Sequence, residues 1–300
     1  MKASAPSIPT SPSAERAGFG VILELAKARL TSLVLLTTLV GFYLGSRGTL
    51  DYMLLFHALL ATGLVASGAA ALNQHLEREY DARMPRTSGR PLPSGRVQPE
   101  TVLIAGVAAS IMGLIYLATA VNWLTSLLGA ITLGTYLFVY TPLKRVTTLN
   151  TIVGAIPGAL PPVMGWTASR GEESLGAWTL FAILFLWQIP HFLAIAWIYR
   201  DDYEKAGYAM LPVFDETGSR TRRHVMASSL ALLIASLSPF WANVTGNLYL
   251  AGVLVLNLAF VTLAIRFCKH LTTTRARQLF FASIIFLPGV LTLMVLDKVR

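Results

Sequence analysis

A single cysteine, Cys268, stands in 300 residues, so no disulfide can close within the chain and no Cys-cluster metal site can be built. It ends an apolar stretch, where a lone cysteine reads as a small apolar filler. Charge is also scarce. Only 13% of the residues are charged against 54% hydrophobic, which excludes a soluble globule and indicates an integral membrane protein. Acids are scarcer than bases, 15 against 24. The formal charge of +9 rests on no basic stripe with interleaved aromatics, which argues against nucleic acid as a partner. The chain offers no Ser–His–acid or Cys–His constellation either, so covalent nucleophilic catalysis is not expected.

What the sequence does contain is hydrocarbon-matched runs. Nine apolar segments, near 30–46, 53–74, 102–120, 123–141, 151–168, 177–199, 226–243, 248–266 and 279–297, are long enough, or nearly so, to span a bilayer as helices. Their connections are too short to fold separately, so residues 21–300 form one transmembrane domain of the all-α class. Residues 1–20, rich in Ser, Pro and Ala, read as a disordered tail. They resemble neither a cleaved signal peptide nor, with one Lys and one Arg, a mitochondrial transit peptide.

The basic residues are sorted by side. Twenty of the 24 fall in the N-terminal region or after the second, fourth, sixth and eighth segments, leaving Arg47, Arg170, Lys298 and Arg300 opposite. The lipid bilayer is thus the partner of the apolar faces. The positive-inside rule puts the N-terminus and both long polar loops in the cytoplasm and the C-terminus outside. Eleven of the 15 acids share the cytoplasmic side, concentrated after the second and sixth segments.

Asn73, Glu77 and Asp81 run out of the second segment at four-residue spacing. On a helix these positions share a face, drifting by roughly 40° per step. Three oxygen donors in such a row suit Mg²⁺, a hard cation that commonly shares its coordination with phosphate oxygens. Polar groups of this kind at a membrane edge are costly and usually functional. A diphosphate would also need cations, and Arg29, Arg83, Arg86, Arg90, Lys144 and Arg145 are the candidates.

Several motifs in order then carry a resemblance. They include Lys27-Ala28-Arg29-Leu30-Thr31, the Asn73…Glu77…Asp81 ladder with Arg86, and the loop Ser88–Gly95. Further along come Tyr140-Thr141-Pro142-Leu143-Lys144-Arg145, Gly158-Ala159-Leu160-Pro161-Pro162 and Trp187-Gln188-Ile189-Pro190-His191-Phe192. Tyr199-Arg200-Asp201-Asp202-Tyr203 and Ala206–Pro212 complete the set. Together they resemble the intramembrane aromatic prenyltransferases, and within them the protohaem IX farnesyltransferase branch.

The resemblance implies a nine-transmembrane-helix bundle whose central cavity is capped by cytoplasmic loops, in a bacterial cytoplasmic (inner) membrane. It implies farnesyl diphosphate and haem B as substrates, Mg²⁺ as cofactor and a downstream haem A synthase as partner. Two acidic motifs are implied to hold metal and diphosphate: Asn73, Glu77 and Asp81 in the first, Asp201 and Asp202 in the second. Many relatives carry aspartates at the positions filled here by Tyr199 and Tyr203, and the haem branch matches the tyrosines.

His191 follows Pro190 inside an apolar helix. It is expected to face the porphyrin as an iron ligand, a propionate partner or a proton acceptor, or else to be a hydrogen-bonded core histidine. Trp187, Tyr199 and Tyr203 join it as expected haem contacts. A quinone-precursor or chlorin prenyltransferase would share the first motif, and a transporter would instead place its polar groups at the bilayer midplane.

Overall fold

The computed structural model describes residues 12–299. Twelve helices follow one another: α1 (Pro12–Leu25), α2 (Ala28–Gly45), α3 (Tyr52–Asp81), α4 (Pro99–Ala120), α5 (Trp123–Leu143), α6 (Asn150–Ala159), α7 (Pro161–Arg170), α8 (Leu175–Ile198), α9 (Arg200–Ala206), α10 (Ser219–Trp241), α11 (Asn247–His270) and α12 (Thr273–Leu296). Residues 1–11 of the expected tail lie outside the described residues, while its remaining part, 12–20, belongs to α1. Ala14, Glu15, Arg16 and Ala17 are good helix formers behind a Pro–Ser start, and their propensity prevails over the composition of the flanking tail.

Among the described residues, eight helices are each long and apolar enough to cross a membrane: α2, α3, α4, α5, α8, α10, α11 and α12. The ninth expected span, 151–168, is a split pair. α6 and α7 have ten residues each and meet at Leu160. Pro161 and Pro162 bring no N–H, so the hydrogen-bond ladder is interrupted there. Such a break survives at membrane depth only inside protein, and every residue from Pro161 to Ala168 is buried. α10 starts seven residues before the expected span, because Asp215 accepts a hydrogen bond from the backbone N–H of Thr221 (2.7 Å) and satisfies its first turn.

Close helix contacts depend on small residues, as expected where lipid is as apolar as any side chain. A Cβ on Gly165 of α7 would collide with the Thr38 carbonyl of α2, and one on Gly41 of α2 with the Pro162 carbonyl of α7. Gly68 of α3 lies equally close to Gly106 and Ser110 of α4.

The length of α3 positions the site. Its 30 residues extend about 45 Å against a hydrocarbon core of roughly 30 Å. Starting from Tyr52, roughly twenty residues use up that thickness, so the helix emerges from the hydrocarbon near Asn73. The chain then folds over this end. The Thr87 hydroxyl donates to the Asp81 carbonyl (2.7 Å), fixing the loop after α3. The Ala209 N–H donates to the Lys144 carbonyl (2.6 Å) and the Asn150 amide donates to the Ala209 carbonyl (2.7 Å), fixing the loop after α9.

Gly165→Val is expected to destabilise the bundle by about 1–3 kcal/mol, because the obstructing atom is backbone and cannot rotate away. Gly89→Ala, where no atom lies within 4 Å of the new carbon, should leave stability unchanged. Thermal unfolding of both variants in detergent checks this; equal midpoints would refute the close-packing account.

Candidate active site

The oxygen ladder at the end of α3 is buried, with Asn73 at 0%, Glu77 at 3% and Asp81 at 1% relative exposure. Each rung faces a cation from a different part of the chain. Lys27 Nζ donates to Asn73 Oδ1 (2.6 Å), Lys144 Nζ to both Glu77 oxygens (2.9 and 3.2 Å), and Arg90 Nη1 to Asp81 Oδ2 (2.6 Å). Buried ions tolerate such a place only when paired in this way.

Local backbone geometry delivers each cation. Lys27 takes a left-handed conformation (φ 44°) at the joint between α1 and α2, a setting that costs energy for a residue with a Cβ. Lys144 follows a π-helical turn, Thr135–Tyr140, in α5. Pro142 cannot donate, and its ring would crowd the carbonyl four residues earlier in a regular α-helix; the widened turn relieves this. It leaves Tyr136 and Tyr140 stacked, 5.7 Å between centroids, with Lys144 Nζ 4.7 Å from the Tyr140 ring centre. The Thr141 hydroxyl donates to the Tyr136 carbonyl (2.8 Å) and accepts from the Asn73 amide (3.1 Å), joining α5 to the ladder.

The charges do not cancel. Four cations, Lys27, Arg86, Arg90 and Lys144, and two carboxylates, Glu77 and Asp81, line the mouth of the site. Burial, with the neighbouring Arg90 cation, lowers the Lys27 pKa to about 7. Lys144 is affected oppositely: burial opposes its charge, but Glu77 outweighs burial and holds it well above the usual lysine range. A surplus of basic groups gathered at a half-buried rim is a site for an anion.

The mouth, of about 100 Å³, shares its rim with a cavity of about 470 Å³ that descends between α2, α3, α5, α6, α7 and α8. Val34, Val65, Leu133, Met164, Phe192 and Ile195 make its wall largely apolar. Gln188 adds a polar patch, its amide donating to the Leu184 carbonyl (3.0 Å) while its oxygen faces Gly158. A volume of this order holds a mid-sized organic ligand.

Several residues expected at the site are elsewhere. Arg29 is exposed, two positions round the helix from Lys27. Arg83 lies over the Tyr80 ring at 5.1 Å. Arg145, in the turn that follows α5, diverges from Lys144 and lies against the Tyr80 ring (3.9 Å) and the Leu76 carbonyl (2.9 Å). Asp201 is exposed beside Arg200, and neither it nor its half-buried neighbour Asp202 lines the mouth or the cavity. Tyr203 does, its hydroxyl bonded to Arg86 (3.2 Å), while the Arg86 guanidinium lies 4.8 Å over the Tyr199 ring.

His191 and Trp187 do not line the cavity either. On α8, Gln188, Phe192 and Ile195 face it within a sector of about 60°, and His191 and Trp187 lie some 60–100° around the helix. His191 Nδ1 is hydrogen-bonded to the Ser283 hydroxyl (2.6 Å), its ring is stacked on Trp187 (4.9 Å), and the Trp187 indole donates to the Ser283 carbonyl (2.9 Å). The structure therefore favours the packing role against α12 over the porphyrin role.

Sequence reasoning gave no site role to Lys27, Tyr136, Tyr140, Gln188 or Tyr208, the last of which also lines the mouth. One signal was available: Tyr136, Tyr140 and Lys144 repeat at four-residue spacing, matching the oxygen ladder they meet.

Among the described residues, no three His, Cys, Asp or Glu side chains gather closely enough to enclose a metal alone. Two carboxylates and an amide oxygen in a row nevertheless fit Mg²⁺, which commonly takes one or two carboxylates and completes its shell with water and phosphate.

Residues 34–286 match the UbiA prenyltransferase family. A protoheme IX farnesyltransferase of Solibacter usitatus (strain Ellin6076) is 46% identical over 285 residues, covering 92% of this chain and 98% of that protein. One from Myxococcus xanthus (strain DK1622) is 41% identical over 302 residues, covering 100% and 99%. Among solved structures, one of digeranylgeranylglyceryl phosphate synthase superposes with a TM-score of 0.80 at 16% identity, covering 93% of this chain and 98% of that one. A UbiA homolog from Archaeoglobus fulgidus bound to DMAPP and Mg²⁺ superposes with a TM-score of 0.64 at 17% identity, covering 91% and 98%. The two structures share the helical fold, and the two sequence relatives match over more than nine-tenths of this chain. A multi-pass helical chain that presents a cation-rimmed oxygen ladder above an apolar cavity, and that aligns with this family over most of its length, belongs to the UbiA prenyltransferase family.

Proposed function

We propose that this chain transfers the farnesyl group of farnesyl diphosphate to a vinyl group of haem B, with addition of water, giving haem O and diphosphate. The observation that carries the transfer chemistry is the excess of cations at the mouth, four against two carboxylates, directly above an apolar cavity. The haem acceptor is supported by near-full-length similarity to protoheme IX farnesyltransferases. The cytoplasmic face of a bacterial inner membrane is the setting supported by the basic-residue sorting.

The residues divide the work as follows. Lys27, Lys144, Arg86 and Arg90 bind the diphosphate and stabilise the charge it gains as the C1–O bond breaks. Asn73, Glu77 and Asp81 would hold Mg²⁺. When bound, the metal supplies further charge neutralisation to the leaving group. The apolar wall takes the farnesyl chain, and the loops pinned at Asp81 and Lys144 keep bulk water from the allylic cation. Tyr136 and Tyr140 line the cavity next to the phosphate rim, where aromatic rings attract such a cation. The vinyl carbon of the porphyrin supplies the electron pair for the new C–C bond. A water oxygen then closes the resulting cation and releases a proton, leaving a hydroxyethylfarnesyl substituent. A haem A synthase is the class of partner that would oxidise this product further.

Purified protein given farnesyl diphosphate, haem B and MgCl₂ should form haem O by mass spectrometry. Product on a quinone precursor or a chlorin, with none on haem, would replace the acceptor assignment.

Asn73→Ala, Glu77→Ala and Asp81→Ala should each lower kcat by roughly 10²–10³-fold, the usual loss on removing one element of an electrostatic cradle. Mg²⁺-dependent turnover retained by all three variants would refute the ladder's metal role.

Lys144→Met should raise KM for farnesyl diphosphate by at least roughly tenfold, since a charge-assisted contact of about 1.5–3 kcal/mol is lost, with little change in KM for haem. Steady-state kinetics varying each substrate in turn would show the split, and a selective effect on haem would reassign the residue.

Phe192→Ala, on the cavity wall, should impair turnover more than His191→Ala, and haem bound to His191→Ala should keep its Soret spectrum. A changed Soret band in His191→Ala would restore the histidine as a haem ligand.

A further inference from the structure

At the end of the bundle opposite the ladder, Arg47, Arg170 and Lys298 all line one groove of about 1100 Å³. These are three of the four basic residues that the sequence assigns to the outer side; the fourth, Arg300, lies outside the described residues. Lys298 Nζ donates to the carbonyls of Tyr43 (2.6 Å) and Ser46 (2.8 Å) and to the Ser46 hydroxyl (3.0 Å), which ties the C-terminal segment to the end of α2. Arg170 Nε donates to the Gly45 carbonyl (2.8 Å), and its guanidinium carbon lies 4.8 Å from the Trp166 ring centre.

The acids on this side are engaged by backbone or exposed, and Asp51 caps α3 by accepting from the Leu54 N–H (2.9 Å). Among the described residues no carboxylate lies within ion-pair distance of Arg170 or Lys298, and the pair Arg47–Glu172 is long (3.6 Å) and largely exposed on both sides. Asp297 is occupied by the Tyr249 N–H (2.7 Å), and Glu173 is exposed to solvent. Burial and the neighbouring Arg170 lower the Lys298 pKa; burial and the neighbouring Arg47 lower that of Arg170. Two polar groups on the groove wall, the Trp166 indole N–H and the Ser174 hydroxyl, are buried without a hydrogen-bond partner.

The groove continues into the membrane. A cleft of about 400 Å³ shares the walls Tyr43, Leu50, Val295 and Leu296 with it and runs between α2 and α12. The cleft is walled by Leu36 and Leu39 on one side and Pro288 and Thr292 on the other, and its lining has almost no polar surface. From Tyr43 to Leu36 it descends about 10 Å, which is two-thirds of a hydrocarbon leaflet. A cationic groove at the membrane edge above an apolar slot has the shape of an amphiphile with a charged head.

We propose that groove and cleft together bind one membrane phospholipid with an anionic headgroup, its phosphate between Arg47 and Arg170 and an acyl chain between α2 and α12. The occupant is separate from the farnesyl site, since none of these residues lines the catalytic mouth or cavity.

Native mass spectrometry of the full chain with added phosphatidylglycerol or phosphatidylcholine tests this. The unaltered protein should retain phosphatidylglycerol in preference to phosphatidylcholine. Arg47→Gln with Arg170→Gln should weaken phosphatidylglycerol retention by roughly 30-fold, as expected when two interfacial cations of about 1 kcal/mol each are removed. Thr292→Trp, which fills the cleft, should reduce retention of phosphatidylglycerol while leaving farnesyl transfer intact. Equal retention of the two lipids by the unaltered chain, or phosphatidylglycerol retention unchanged in both variants, would overturn the proposal.

Discussion

The constraint on which the structure depends is the cost of burying charge where the hydrocarbon ends. Glu77 and Asp81 are almost wholly withdrawn from solvent, and an unpaired ion there would cost several kcal/mol. Each is therefore tied to a cation, Lys144 just after α5 and Arg90 in the loop after α3, while Lys27 from the turn before α2 holds Asn73. Three distant segments must converge before the ladder is tolerable. The same convergence closes the cavity from above, so stabilising the buried ions and building the anion site are one event.

The helix bundle supplies what this needs. α3 is longer than the membrane is thick and brings its polar turns out at the edge while remaining a continuous helix. Elsewhere the regular helix is broken where geometry demands it. The π turn in α5 aligns two tyrosines and Lys144, and the Pro161–Pro162 break lets α7 lie against α2 with no Cβ between their backbones. Irregular backbone at membrane depth is thus confined to segments buried in protein or lining the cavity.

The two ends of the bundle use positive charge differently. At the ladder end, cations exceed carboxylates but are interleaved with them, which holds the rim in register for a multiply charged ligand. At the opposite end the few cations available collect in one groove, where among the described residues their ion pairing is limited to the long Arg47–Glu172 contact. Charge sorted by side for topology therefore becomes, in three dimensions, two separate anion-attracting surfaces.

The sequence by itself determined the class of the protein, the nearly complete set of spans and the ladder. These depend on local properties: run length against bilayer thickness, and four-residue spacing on a helix. It could not determine which neighbours would face the cavity. His191 and Phe192 are adjacent in the chain but about 100° apart on a helix, and Lys144 and Arg145 diverge in the turn after α5; only packing decides which of each pair points inward. The π turn, which Pro142 favours, and the left-handed Lys27, which no residue type announces, shift that phase again. Asp201 and Asp202 share a motif with Tyr203 in sequence, yet the short helix α9 gives the cavity rim to Tyr203, because a seven-residue helix can turn only one narrow face to it.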